Sequence, residues 1–190
     1  MSFQNILNKS LKRSQLILAL WMGVLAASGC AQRSSSLDAY VSAQEKKIVQ
    51  KNIYIEGELL FWAGAMTVNQ KDLDDLRTAW QDHSKAFPQS KSIEDLEREV
   101  RRGSVVVVAL YMTDFEKADL LNKTLGWSAY PVAGFAKELS ESDAVLRTLF
   151  PLKNPWAKFF LLRYDSHLLD HSSALVIANR EGKVELKLNP

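Results

Sequence analysis

The sequence predicts an α+β fold, an antiparallel β-sandwich-like domain with a helical insertion after the first strand. Three observations predict it. Apolar residues recur at every second position in residues 52–67 and 174–188, a run of four valines begins at Val105, and apolar residues recur at helical spacing between residues 69 and 100. Strands therefore dominate the second half of the chain, and helices cluster before the valine run.

The first strand is predicted over residues 52–67, after a polar, helix-compatible segment at residues 37–51. Alternate apolar side chains lie on one face: Ile53, Ile55, Leu59, Phe61, Ala63 and Ala65. The pattern predicts one strand bent at Gly57. A helix through Ile48, Val49, Ile53, Leu60 and Ala63 stays open as the alternative, although β-branched and aromatic residues favour the strand.

Two helices are predicted next. The first begins after Asn69, ends at Pro88, and carries its apolar stripe at steps of three and four: Leu73, Leu76, Trp80, His83 and Phe87. His83 is therefore expected to pack at the domain boundary. In the second helix, Ser92 and Asp95 form a predicted capping pair, and Gly103 follows the C-terminus.

The remaining elements are mostly strands. Residues 104–113 predict a buried central strand, and residues 156–164 predict a long apolar strand. Residues 127–132 predict a strand at the edge of a sheet, because Pro131 has no N–H group to donate to a neighbouring strand. Ser140 and Asp143 resemble a capping pair before a short helix that ends at Phe150. Residues 174–178 and 184–188 predict an antiparallel hairpin, with Gly182 supplying a positive φ angle in its turn.

Charge excludes one class of function. Of the 24 basic and 22 acidic residues, three basic and no acidic residues precede Cys30, so the rest of the chain is close to neutral. A nearly neutral domain lacks the basic surface that nucleic-acid binding requires, and we expect no nucleic-acid partner. Cys30 is the only cysteine, so no disulfide can form within the chain.

The N-terminal segment has the layout of a secretory signal. Basic residues end at Arg13, residues 16–27 are apolar or small, and Ser28, Gly29 and Cys30 follow. A helix of this apolar length reaches only about 18 Å at about 1.5 Å per residue, against a hydrocarbon core of about 30 Å. Cleavage is therefore favoured over a permanent membrane span.

The residues Ala27-Ser28-Gly29-Cys30 resemble the lipobox of bacterial lipoprotein precursors, although leucine is usual at the position of Ala27. The resemblance implies a signal peptide at 1–29, cleavage between Gly29 and Cys30, and lipid, including palmitate, on Cys30. Residues 30–36 would be the lipidated cysteine and its tether, and residues 37–190 a single globular domain. The residue after the cysteine is Ala31 and not the Asp that retains such lipoproteins in the inner membrane. The resemblance therefore implies that, in a Gram-negative cell, the protein is anchored in the outer membrane and faces the periplasm. An inert cysteine in an ordinary signal peptide is the alternative.

The rest of the chain dimly resembles uncharacterised envelope lipoproteins. The similarity lies in VALYMTDFEKADL, LRTLFPLKNPWAKFFLLRY and REGKVEL, and it carries over no catalytic residue. The common phosphate-binding, zinc-protease, hydrolase and redox motifs are absent from the sequence. We therefore predict no cofactor and no catalytic residue.

A metal site is the main alternative chemistry. Two imidazoles and two carboxylates that could ligate zinc occur within DSHLLDH: Asp165, His167, Asp170 and His171. A solvated loop is the favoured interpretation of this segment. The acidic residues Asp72, Asp74 and Asp75 are expected in the first turn of a helix, at the positive end of its dipole, and not in a calcium-binding loop. Among the tryptophans, Trp62 and Trp156 are expected in the interior, and Trp127 is the candidate for an exposed binding platform.

Two functional hypotheses result. The first is a lipid-anchored envelope protein that scaffolds, assembles or binds another envelope protein through a sheet edge or an apolar patch. The second is an envelope hydrolase or metal-dependent enzyme that uses His83 or the loop at residues 165–171.

Overall fold

The structure is a computed structural model that describes residues 36–84, 86–103, 105–132, 136–163 and 174–188. It confirms the α+β class, with antiparallel pairing in both sheets. The described helices are α1 Ser36–Glu45, α2 Gln70–His83, α3 Lys91–Val100 and α4 Ala144–Leu149. The described strands are β1 Val49–Ile55, β2 Glu58–Val68, β3 Val105–Met112, β4 Ser128–Tyr130, β5 Ala136–Leu139, β6 Lys158–Arg163, β7 Ala174–Ala178 and β8 Lys183–Lys187.

The described elements form three layers. A five-stranded sheet, in the order β1-β2-β3-β6-β5, lies between the helices and a three-stranded sheet, in the order β4-β7-β8. One core packs the helices on the large sheet, and a second core packs the small sheet on its opposite face. Strand β3 contributes alternate side chains to the two cores, with Val107 on the helical side and Val108 on the other. The predicted central strand is thus confirmed, and α2 and α3 are the helical insertion.

The strand predicted over residues 52–67 is two strands. Glu56 and Gly57, with φ angles of 51° and 88°, turn the chain so that β1 and β2 form a hairpin. A bulge beside Ile53 then shifts the register, so that Ile53 faces Phe61. Ile53 and Phe61 therefore share a face, as they would in one bent strand. Ile55 and Leu59 do not join that face as predicted, because Ile55 is exposed opposite Glu58 and Leu59 lies opposite Tyr54. The helical alternative for this segment is also wrong.

Both predicted capping pairs are wrong. The side chain of Ser90 caps α3 by accepting from the Ile93 N–H at 3.1 Å, and Asp143 itself caps α4. Ser92 and Asp95 lie inside α3 and are buried, because this side of the helix faces the large sheet. Asp95 forms an ion pair there with Lys137 of β5, a strand that was not predicted from the sequence. Both caps are thus local bonds, but they begin at Ser90 and Asp143 and not at Ser92 and Ser140.

The end of α2 also differs from prediction. The helix stops at His83, which is exposed and does not pack at the domain boundary. Phe87 lies beyond the helix and contacts Trp80 edge to face, with ring centroids 6.0 Å apart. The apolar stripe thus continues into the following loop after the helix has ended.

The C-terminal hairpin is confirmed, but the predicted role of Gly182 is wrong. Its φ angle is not positive, because the Asn179 side chain closes the turn by accepting from the Glu181 and Gly182 N–H groups at 2.9 and 2.8 Å. The glycine instead allows close packing. A Cβ atom at residue 182 would lie 3.1 Å from both Leu60 and Phe61.

Candidate functional site: an aromatic cleft

An open cleft lies where β3 ends and β6 begins. It has a volume of about 790 Å³, and we call it the aromatic cleft; its lining residues are Tyr111, Met112, Thr113, Phe115, Glu141, Ser142, Arg147, Pro155 and Trp156. This volume is within the range of about 300–1,000 Å³ that is usual for small-ligand sites. Two neighbouring strands of the large sheet, together with the N-terminal region of α4, therefore position the site.

Two aromatic side chains are exposed at this cleft. Trp156 is 67% exposed and Phe115 is 40% exposed. Trp156 lies outside β6, where the Asn154 side chain accepts from its N–H at 3.0 Å and holds a turn. The next residue, Ala157, is fully buried, so the backbone directs Ala157 inward and leaves the indole in solvent. Exposed aromatic surface of this kind marks candidate binding sites.

Arg147 of α4 connects the two loops beside the cleft. Its Nε donates to the Glu141 carbonyl at 2.7 Å, and its Nη2 donates to the Pro155 carbonyl at 2.9 Å. The guanidinium carbon also lies 5.4 Å from the centre of the Phe159 ring. These contacts use two of the five N–H donors of the side chain. Arg147 is thus held in place by both loops.

A second cation lies at the rim of the cleft. The ammonium group of Lys158 is 4.3 Å from the centre of the Phe115 ring, within the range of a cation–π contact. Glu141 is the only acidic residue among the lining residues. The lining itself thus carries one cation, Arg147, and one anion, Glu141, and Lys158 lies beside it at the Phe115 ring.

Asp143 positions the helix that carries Arg147. Its Oδ1 accepts from the N–H groups of Val145 and Leu146 at 3.0 and 3.1 Å, and its Oδ2 accepts from the Ser90 hydroxyl at 2.5 Å. Burial acts to raise the pKa of Asp143, but hydrogen bonds from the Ser90 hydroxyl, the Leu146 amide and others outweigh it and lower this pKa. The ionised carboxylate thus fixes the start of α4 beside the cleft.

The environments predicted for Trp127 and Trp156 are both wrong. Trp127, predicted to be exposed, is half-buried, donates from Nε1 to the Lys117 carbonyl at 2.7 Å, and contacts Phe61 edge to face. Trp156, predicted to be interior, is the exposed one, whereas Trp62 packs at the helical core as expected. The signal that could have placed Trp156 is the turn-forming Asn154-Pro155 before it.

The other candidate residues divide into two groups. Cys30 and the predicted metal loop, with Asp165, His167, Asp170 and His171, lie outside the described residues. Within the described ranges no cluster of histidine, cysteine and acidic residues could hold a metal ion, and His83 is exposed at the end of α2. Asp72 lies in the first turn of α2, as predicted, where its buried carboxylate accepts from the Asn69 N–H and forms an ion pair with Lys47.

Comparisons with known proteins found no match to any protein-family model, any curated protein or any solved structure. In the part of the chain that the structure describes, no helix is long and apolar enough to cross a membrane. The candidate site is thus defined by the geometry of the aromatic cleft alone.

Proposed function

We propose that this chain is a lipid-anchored protein of the bacterial cell envelope that binds another envelope component through the aromatic cleft. The observation that carries the binding role is the 67% exposure of Trp156 beside Phe115 and the fixed guanidinium of Arg147. Exposed aromatic and arginine side chains at a concave site are typical of binding surfaces. The role is one of binding, scaffolding or assembly.

The anchor in this proposal is lipid on Cys30. The lipobox-like residues Ala27 to Cys30 support it. Acyl chains contribute about 0.8 kcal/mol per buried methylene, so the two or three chains of a lipidated cysteine hold a protein stably on a membrane. The polar residues 31–36 span at most about 20 Å at roughly 3.4 Å per residue, so α1 would begin close to the bilayer surface.

The anchor is tested by labelling cells that produce the full-length protein with a radioactive or alkyne-bearing palmitate. We expect label on the wild-type protein and its partition into detergent, and we expect neither for Cys30→Ser. A matched control moves the thiol, with Cys30→Ser combined with Ser35→Cys, and should also stay unlabelled. Equal labelling of wild type and Cys30→Ser would show that Cys30 is not the lipidation site.

A further inference from the structure

We infer that the aromatic cleft and the cavity beside it together dock a basic segment of a partner protein, in which lysine or arginine side chains flank a large apolar one. This inference rests on the proposed binding function and specifies the chemistry of the partner. It depends on three features: the continuity of the two cavities, the excess of carboxylates along them, and the open indole of Trp156.

A second open cavity adjoins the aromatic cleft. It has a volume of about 940 Å³ and is lined by the tip of the β1–β2 hairpin and by residues that end and follow β3. Met112 and Thr113 line both cavities, which therefore form one surface that we call the joined groove. Sites for a single small ligand usually measure about 300–1,000 Å³, and each of the two cavities is of that size. A chain segment that spans both cavities suits the joined groove better than one small molecule does.

Carboxylates outnumber cations along the joined groove. Two basic side chains line it, Lys117 and Arg147. Five acidic side chains line it, and these are Glu56, Glu58, Asp114, Glu141 and Glu181. The formal charge of the lining is thus −3, and it stays negative when Lys158 at the Phe115 ring is also counted. A negative surface attracts a positive partner and repels an acidic one, so the charge favours a basic occupant.

The two carboxylates of the hairpin tip are open to a partner. Lys117 lies between two other acids of the groove, 3.6 Å from Asp114 Oδ2 and 3.8 Å from Glu181 Oε1. Glu56 and Glu58 are exposed, and no ion pair in the described part of the chain involves either of them. A lysine or arginine of the partner can therefore pair with these carboxylates without displacing a cation of this chain.

Trp156 provides the main apolar contact. Lys158 already lies over the Phe115 ring, so the indole of Trp156 is the larger open aromatic surface. Ile55, which is 47% exposed, extends the apolar surface into the second cavity. A large apolar side chain that covers the indole is removed from water together with it, and such aromatic contacts dominate the affinity of many protein interfaces. A small polycation offers charge but no large apolar side chain for this contact.

Side chains, and not strand addition, would recognise the segment. Strand β2 is hydrogen-bonded to β1 and β3, β3 to β2 and β6, and β6 to β3 and β5. Strand addition needs an unpaired edge, which these three strands do not offer. The partner therefore lies across the ends of paired strands.

The experiment titrates the full-length protein in an uncharged detergent with dye-labelled octapeptides, and fluorescence anisotropy reports binding. The basic peptide has a central leucine-phenylalanine pair with lysines on both sides, and matched peptides carry glutamine or glutamate in place of lysine. We expect saturable binding of the basic peptide that weakens as salt is raised. The glutamine peptide should bind about tenfold more weakly, and the glutamate peptide should not bind measurably.

A charge variant tests the acidic side of the groove. Glu56→Gln combined with Glu58→Gln should weaken binding of the basic peptide severalfold and reduce its dependence on salt. The matched control is Glu138→Gln combined with Glu185→Gln, which removes the same charge from exposed positions of β5 and β8 outside the groove. We expect little change in affinity for this control.

An aromatic variant tests the apolar contact. Trp156→Ala should weaken binding of the basic peptide by about tenfold or more, and Tyr130→Ala should leave it unchanged. Tyr130 is the matched control because it is 62% exposed, belongs to β4 of the small sheet, and does not line the groove.

Three results would overturn the inference. The first is no binding of the basic peptide, or equal affinity for the basic and glutamate peptides. The second is an equal loss in a groove variant and its control. The third is spermidine that binds as tightly as the basic peptide and depends equally on Trp156, which would assign the groove to a small cation. None of them would contradict the binding function, which site-specific crosslinking at residue 156 tests independently of any chosen ligand.

Discussion

At Gly182 the C-terminal hairpin approaches the large sheet so closely that a side chain does not fit without movement. The Cβ of an alanine would lie 3.1 Å from Leu60 and Phe61 and 3.3 Å from Ile53. These neighbours belong to the β1–β2 hairpin and pack in the core between the sheets. A single missing side chain thus permits the contact between the two hairpins.

We expect Gly182→Val to destabilise the protein by about 1–3 kcal/mol, the usual cost of overpacking, and Gly182→Ala by less. Denaturant unfolding followed by circular dichroism measures the change. Lys183→Ala, at an exposed neighbouring position, is the control and should change the free energy of unfolding by less than about 0.5 kcal/mol. A Gly182→Val protein as stable as the control would contradict this packing.

Asp143 caps the start of α4 and bonds Ser90, and its ionisation makes the stability of this contact depend on pH. We expect Asp143→Ala to cost about 1–2 kcal/mol at neutral pH, because the cap and its hydrogen bonds are lost. The pKa of Asp143 is lowered from its ordinary value of 3.8, so its contribution is present above that value and is lost as pH falls through the lower pKa of the folded state.

Denaturant unfolding across an acidic pH series measures this effect. The difference in stability between wild type and Asp143→Ala should shrink below about pH 4. Asp143→Asn is expected to keep most of the cap, and Ser140→Ala, at the exposed residue that does not cap the helix, should have little effect. A difference that stays constant down to low pH would rule out ionisation of Asp143 as its source.

At the scale of elements, the valine run of β3 was predictable because nearly every side chain there is apolar. All residues from Val105 to Leu110 are fully buried, alternately in the two cores. The hairpin at Glu56-Gly57 could not be predicted in this way. The bulge places Ile53 and Phe61 on one face, as they would be in a single strand. The cap of α3 is a local bond from the Ile93 N–H to Ser90, and the Ser90 hydroxyl also bonds the Asp143 carboxylate, 53 residues along the chain. The four residues of β5 are too few and too polar to show a strand pattern.

Val107 tests the buried position of β3. We expect Val107→Asp to prevent cooperative folding, since leaving an unpaired carboxylate in the core costs several kcal/mol against a total stability of about 5–15 kcal/mol. Thermal melts followed by circular dichroism measure this. Lys187→Asp places the same side chain on the exposed face of β8 and should melt nearly as wild type does. A cooperative melt of Val107→Asp near the wild-type temperature would place Val107 outside the core.

At the scale of the whole molecule, the aromatic cleft joins segments that are distant in sequence. Phe115 follows β3, Trp156 precedes β6, and Arg147 of α4 holds the intervening loops. The sequence could predict that β3 and β6 are strands, but not that they are neighbours whose ends form a cleft. Residues 156–164 are mostly apolar, so the exposure of the first residue becomes clear only when β6 begins at Lys158.

The most direct test of the proposed function places a photo-crosslinking amino acid at residue 156 of the full-length protein in living cells. Tyr130, which is similarly exposed but distant in the sheet order, is the matched control position. We predict a specific crosslink to an envelope component from residue 156, none from residue 130, and loss of the membrane-bound product in the Cys30→Ser background. No crosslink from residue 156, or the same products from both positions, would contradict a lipid-anchored protein that binds through the aromatic cleft.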